Sequence, residues 1–141
     1  MKNLLLIDQT LVIRYLSDTF AGRVHDKRMA DAEPYCLPTG SWLLQDLGFL
    51  GFSLAGVVTL TPFKKPKGGV LTPAQKAFNR QLASLRISIE HVISSVKRCR
   101  IVKDICRLRL PGAKDAVMEI ACALHNFRLA LCPWQPLVKS E

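Results

Sequence analysis

Apolar residues in the first part of the chain come in short runs that polar or turn-forming residues separate. Such runs, bounded by Asp, Thr, Gly or Pro, are typical of β-strands. We predict strands at residues 3–7 and 11–16, and we expect this pair to be antiparallel because only a short turn joins them. Two further short strands are predicted at residues 41–45 and 57–60.

The second half of the chain has two long helical patterns. Thr72-Pro73-Ala74-Gln75 places a hydroxyl at the N-cap, proline at the first helical position and glutamine three residues after the cap, which is typical of a helix start. The apolar residues that follow cover an arc of roughly 100°: Phe78, Leu82, Leu85, Ile89, Val92, Ile93 and Val96. Residues 113–131 are apolar nearly all round and predict a second helix, buried against the sheet. A shorter helix is expected at 26–33, whereas helix and strand remain open for 101–110.

The chain has 141 residues, a length that fits one domain, and we place it at 1–132 with a tail at 133–141. Twenty Lys and Arg against 11 Asp and Glu give a formal net charge of +9. An excess of this size favours a polyanionic partner, because cations that neutralise phosphates release condensed counterions. The loop at 62–69 concentrates this charge in Lys64, Lys65 and Lys67.

The apolar stretches do not resemble membrane segments. The longest uncharged stretch, 47–63, is broken by glycines, hydroxyls and a proline, so it is a poor spanning helix. The apolar run near the N-terminus ends at Asp8 and is too short for a signal-peptide core. We therefore expect a cytoplasmic, nucleoid-associated protein with no membrane partner.

The five cysteines argue against two structural roles. Their odd number and the lack of a C-x2-C pair are unlike a disulfide framework or a structural zinc site, so we expect reduced thiols. Cys122 and His125 could supply two ligands of a metal site, but their apolar segment makes buried side chains the commoner explanation.

Three charged residues of the first long helix share one narrow strip. Arg86, Glu90 and Lys97 fall at roughly 0°, 40° and 20° around the helix axis, so a carboxylate lies between two cations. One interpretation is an edge that binds phosphate and metal. The other is an exposed ion pair worth about 0.3–0.5 kcal/mol. The strip borders the apolar arc, so we expect Glu90 to be partly shielded from water.

Several sequence blocks, in order, resemble the C-terminal part of bacterial insertion-sequence transposases of the DDE superfamily, which have a ribonuclease-H-like catalytic core. They are G-R-V-H-D at 22–26, L-L-Q-D-L-G-F-L-G-F at 43–52, the basic loop, R-I-S-I-E-H-V-I-S-S-V-K at 86–97 and A-L-H-N-F-R at 123–128. The resemblance implies an α/β protein: a partial ribonuclease-H-like fold whose mixed sheet lacks its first strand and is packed by two long C-terminal helices.

The resemblance also implies a site for metal-dependent DNA strand transfer. Asp46 takes the place of the family's second catalytic acid and Glu90 that of the third, both as ligands of Mg²⁺ or Mn²⁺. Oxygen ligands suit these hard cations, and a pair of cations can stabilise both the attacking and the leaving oxygen of a phosphodiester. Ala83 stands where the family signature has tyrosine. In the family the first acid lies on the opening strand, upstream of the strand that residues 3–7 resemble, so it is expected before the start of this chain. Asp8 ends a strand and is the one candidate substitute, but an acid in a turn is ordinary.

The remaining expectations concern DNA and protein partners. Residues assigned to DNA binding are Arg86, Lys97, Arg98, Lys64, Lys65 and Lys67, with His25 and Asp26 as accessory residues, although Asp26 could equally cap a helix. Element ends and target DNA are the expected substrates, with an upstream transposase segment and a second copy as candidate protein partners. We expect the fragment to be inactive alone. The alternative is a basic DNA-binding module without catalysis.

Overall fold

Short strands and long helices alternate along the chain in the computed structural model, which describes residues 2–34, 36–103 and 110–133. The elements are β1 (Leu5–Ile7), β2 (Ile13–Leu16), α1 (Asp26–Ala32), β3 (Trp42–Leu44), a 3₁₀ helix (Leu47–Phe49), β4 (Val58–Leu60), α2 (Pro73–Val96), α3 (Arg100–Lys103) and α4 (Ala113–Leu131). All four strands, α1, α2 and α4 confirm the sequence predictions. Of the ambiguous segment, 101–103 are helical, and 104–109 lie outside the described residues, as does the tail from 134.

The strands form two small sheets, so the fold is mixed α/β. β1 and β2 are antiparallel, with Leu5 opposite Leu16, as predicted. β3 and β4 are parallel, with Trp42 opposite Val58. We expected a single mixed sheet. In the described part of the chain, the β1–β2 pair and the β3–β4 pair are not hydrogen-bonded to each other.

The chain divides into two compact units. The first contains Met1–Leu4 and Phe20–Ile87, and the second contains Leu5–Thr19 and Ser88–Glu141. The core of the second unit combines its strand pair with the two long helices: Leu11, Ile13, Val92, Val96, Met118, Ala121 and Cys122. In the first unit the buried apolar residues are Leu4, Met29, Ala30, Phe52 and Leu82.

A carboxylate organises the turn between β1 and β2. Asp8 Oδ1 accepts hydrogen bonds from the Thr10 amide at 2.9 Å, the Thr10 hydroxyl at 2.6 Å and the Val12 amide at 3.1 Å. Its Oδ2 accepts from Arg14 Nε at 2.6 Å. Desolvation raises the pKa of Asp8, but these hydrogen bonds outweigh it and leave the pKa below its usual range. Asp8 therefore acts as a carboxylate that stabilises the turn through hydrogen bonds to its backbone.

Two side chains of α4 form hydrogen bonds with backbone groups at the start of β2 and in the turn before it. The Ile13 amide donates to Asn126 Oδ1 at 2.9 Å, and Asn126 Nδ2 donates to the Ile13 carbonyl at 2.9 Å. One residue earlier on α4, His125 Nε2 lies 3.0 Å from the carbonyl oxygen of Leu11. Leu11 has φ of 67°, a left-handed conformation that is uncommon for leucine, so these contacts stabilise a strained turn.

As predicted, α4 packs against a strand pair, but it does so with only one of its apolar faces. Its buried residues are Met118, Ala121, Cys122 and His125. Burial raises the pKa of the Cys122 thiol. The opposite face is also apolar, but it is exposed because the short strands contact only one side of the helix. None of the described helices combines the length and the apolarity needed to span a membrane.

The start of α2 follows the predicted capping pattern. The Gln75 amide donates to Thr72 Oγ1 at 3.2 Å, and the Thr72 amide donates to Gln75 Oε1 at 3.0 Å, which is the reciprocal geometry of a capping box. The apolar arc of α2 is buried at Leu82 in the first unit and at Val92 and Val96 in the second. Leu85, which the apolar arc predicted to be packed, is exposed.

Replacing Asn126 with alanine should lower the free energy of unfolding by about 1–3 kcal/mol, because the amide and carbonyl of Ile13 would both lose a partner in a half-buried position. Urea denaturation followed by circular dichroism measures this change. Glu119→Ala is the matched control on the exposed side of the same helix and should change stability by less than about 0.5 kcal/mol. Equal effects of the two substitutions would contradict the role assigned to Asn126.

Candidate functional site

Asp46 lies two residues after β3, in the turn predicted to carry the acid. It is the N-cap of the 3₁₀ helix Leu47–Phe49, and its Oδ1 accepts a hydrogen bond from the Leu47 amide at 2.7 Å. The Phe49 amide donates to the Asp46 carbonyl at 3.0 Å. Side chain and backbone of Asp46 are therefore both held by the turn, while about half of the side chain is exposed.

The structure brings Arg86 of α2 to Asp46. Arg86 Nη1 lies 3.4 Å from Asp46 Oδ1, and both side chains are close to half exposed. At this exposure the pair contributes less than about 1 kcal/mol to stability. The contact matters more for geometry, because the amide and the guanidinium both engage Oδ1 and orient the carboxylate.

Glu90 follows Arg86 by four residues, about one turn further along α2. It is exposed, which corrects the expectation of partial shielding. The packed residue near this level is Val92, so Glu90 extends beyond the buried face of the helix. Glu90 belongs to the second unit, whereas Asp46 and Arg86 belong to the first.

The cations at the end of the strip lie just beyond α2. The helix ends at Val96, and Lys97 and Arg98 follow in an exposed turn, whereas the sequence placed Lys97 inside the helix. The Lys97 amide still donates to the carbonyl of Ile93 at 3.0 Å, so the helical hydrogen-bond pattern reaches this residue. Within residues 2–34, 36–103 and 110–133, no three His, Cys, Asp or Glu side chains cluster as a metal site.

The accessory residues His25 and Asp26 have different roles. His25 is the N-cap of α1, where its Nδ1 accepts from the Lys27 amide at 3.4 Å, so the cap is His25 and not Asp26. Asp26 Oδ1 instead pairs with Lys2 Nζ at 3.0 Å. Its Oδ2 faces Gly48 of the 3₁₀ helix, where a Cβ atom would lie 2.5 Å from that oxygen. Asp26 and Gly48 are therefore packed closely, and a side chain at position 48 would require the Asp26 carboxylate to move.

The sequence analysis missed a second support of this turn. Gln45 is buried, and its Nε2 donates to the Thr61 hydroxyl at 3.0 Å and to the Phe52 carbonyl at 3.4 Å. Its backbone amide donates to the carbonyl of Leu60 at 3.0 Å. The sequence did contain a signal for this role, since Gln45 is a polar residue at the end of an apolar strand. A side-chain amide that is buried there needs hydrogen-bond partners, and these partners hold the neighbouring segments in place.

The basic loop is attached to α2 at its base. Asn79 Oδ1 accepts from the Phe63 amide at 2.8 Å, and Asn79 Nδ2 donates to the Phe63 carbonyl at 3.0 Å. The rings of Phe63 and Phe78 pack edge to face with centroids 5.4 Å apart. The three lysines that follow, Lys64, Lys65 and Lys67, are exposed. The three lysines therefore lie on a loop without regular secondary structure, and hydrogen bonds to Asn79 fix the start of this loop on α2.

Comparison with known proteins identifies relatives for most of the chain. A family model described as DDE superfamily endonuclease matches residues 1–126. The chain is 32% identical over 112 residues to a protein named probable transposase for insertion sequence element IS702, from Microchaete diplosiphon. That alignment covers 78% of this chain and 40% of the relative, so the chain spans about two fifths of the relative's length. No solved structure matches.

Gly48→Ala should destabilise the protein by about 0.5–1 kcal/mol, because the added Cβ would displace the partly exposed Asp26 carboxylate from its ion pair with Lys2. The same substitution in an Asp26→Ala background should cost less, since the colliding oxygen is gone. A double-mutant cycle by chemical denaturation measures the difference. Additive effects of the two substitutions would show that a side chain at position 48 does not contact Asp26.

Proposed function

Because the chain belongs to the DDE superfamily endonuclease family, we propose that it is the C-terminal part of a transposase catalytic domain and takes part in metal-dependent DNA cleavage and strand transfer. The family model covers residues 1–126, and we assign 1–132 to a partial ribonuclease-H-like domain followed by a tail. The observation that carries the proposal is the placement of Asp46, a half-exposed acid fixed at the end of β3.

The donor atoms suit a hard divalent cation. Asp46 uses Oδ1 for its contacts with the Leu47 amide and Arg86, which orients Oδ2 for a ligand. Glu90 supplies a second exposed carboxylate. Oxygen-only ligands favour Mg²⁺ or Mn²⁺. Such an ion polarises the phosphodiester and activates the attacking hydroxyl when it is bound.

Two carboxylates leave most positions of an octahedral cation to water and substrate. We therefore propose that efficient cleavage needs a further acid, contributed by an upstream transposase segment, and that this chain alone cleaves DNA weakly or not at all. Within the chain, Asp46 and Glu90 hold the cation and Arg86 keeps Asp46 in position. Lys97 and Arg98, which are exposed just after α2, contact phosphate.

The basic loop supports a separable role in holding DNA. Lys64, Lys65 and Lys67 are exposed on a segment that Asn79 ties to α2, so their charges are presented without any need for the acids. This feature also favours the alternative function, a basic DNA-binding module without catalysis. Both functions would place the protein with DNA in the cytoplasm. They differ in whether a divalent cation binds Asp46 and Glu90.

DNA binding should weaken and become less dependent on salt when Lys64, Lys65 and Lys67 are replaced together by alanine. Each phosphate contact contributes about 0.9 to the slope of log K against log salt, so three lost contacts should reduce the slope by up to about 2.7. Fluorescence anisotropy of a labelled duplex across a salt series measures it. Lys114→Ala, in α4, is the control and should leave the slope unchanged. An unchanged slope in the triple variant would remove the loop from the interface.

Mn²⁺ should raise the Tm of the wild-type chain, and Asp46→Asn or Glu90→Gln should each reduce this shift, because each removes a charged ligand. Glu119→Gln on α4 is the control and should retain the full shift. Intact DNA binding without any Mn²⁺-dependent shift would favour the non-catalytic module. Nicking of supercoiled plasmid tests cleavage in the same samples. Strong nicking that Glu90→Gln abolishes would contradict the need for a further acid.

A further inference from the structure

α4 has a second apolar face, on the side away from its own core. Its large members are Ile120, Leu124, Phe127 and Leu131, which are 60%, 53%, 64% and 68% exposed. We call these four residues the α4 stripe. They are separated by four, three and four residues and fall within an arc of roughly 60° around the helix axis. This alternation of three and four is the spacing by which paired helices interlock.

The residues beside the α4 stripe also favour close approach of another helix. Ala116, Ala123 and Ala130 recur every seven residues along one margin and are exposed. Small side chains at such positions let two helix axes come close together. The nearest charges, Glu119 and Arg128, lie outside the stripe on opposite sides. The face between them is uncharged over roughly 180° of the helix circumference.

The size of this surface matches the interface of a small dimer. A patch of several hundred square ångströms of contiguous apolar surface usually marks an interaction site. Four large side chains at these exposures, together with three alanines, present on the order of 500–600 Å² per copy. Two copies that cover each other therefore bury on the order of 1,000 Å², which reaches the lower limit for a specific protein interface.

We propose that the α4 stripe binds the same stripe of a second copy of this chain, as an antiparallel helix pair with its two-fold axis at Leu124. A two-fold interface requires a self-complementary surface, and the uncharged face from Ala116 to Leu131, whose midpoint lies close to Leu124, meets this requirement. In this arrangement each Arg128 is level with Ile120 of the second copy, and each Glu119 is level with Leu129 of the second copy. No like charges stand opposite each other, although each chain carries a net charge of +9.

Light scattering after size exclusion tests the dimer on the intact chain. The mass of the wild-type protein should rise with concentration from 15.7 kDa towards twice that value. Leu124→Glu and Leu124→Lys should each remain at the monomer mass at low salt, because like charges would meet at the two-fold axis. An equimolar mixture of these two variants should recover the doubled mass. Val70→Glu is the control, since Val70 is an exposed apolar residue of the first unit.

The mixing result separates a dimer from other occupants of the stripe. Recovery of the dimer in the mixture requires Leu124 to face Leu124 and is not expected if residues 134–141 or another protein cover the stripe. A wild-type mass that stays at 15.7 kDa at 200 µM, about the upper range for specific weak dimers, would overturn the proposal. Dimers that persist in Leu124→Glu, or that Val70→Glu abolishes equally, would also overturn it. Circular dichroism verifies that each variant is folded, and the wild-type concentration series is decisive without any variant.

Discussion

The requirement that every shielded backbone amide and carbonyl find a partner shapes this protein more than any other constraint. Its strands have only three or four residues and pair two by two, so their ladders satisfy few backbone groups. Side-chain amides supply the rest. Asn126 holds both polar groups of Ile13, Asn79 does the same for Phe63, and Gln45 donates to the Phe52 carbonyl. Each contact ties an irregular segment to a helix or a strand.

This constraint also positions the candidate site. Asp46 begins a short turn that Gln45 holds from the strand side, and Asp26 of α1 packs closely against Gly48 within it. Because the Leu47 amide donates to Asp46 Oδ1, the carboxylate has a defined orientation. Arg86 of α2 adds a second contact to the same carboxylate oxygen. Because the ion pair is half exposed, it contributes little to stability.

The charged and the apolar surfaces of the chain are kept on different elements. The basic loop and the end of α2 present cations, whereas the outer face of α4 has neither charge nor polar groups over its central turns. Phosphate binding requires exposed cations, and helix pairing requires a face without them. The DNA contacts and the self-association that we propose therefore use separate sets of residues.

The amino-acid sequence alone determined the features that depend on near neighbours. The capping box at Thr72, the four strands, the ends of α4 and the placement of Asp46 after β3 follow from hydrogen bonds and periodicities within a few residues. Only the tertiary structure decided the exposure of Glu90 and Leu85, the free face of α4 and the pairing of Asp26 with Lys2. These features depend on which distant segment covers a given face. A periodic pattern specifies that a face is apolar, but the number of such faces can exceed the number of neighbours available to bury them.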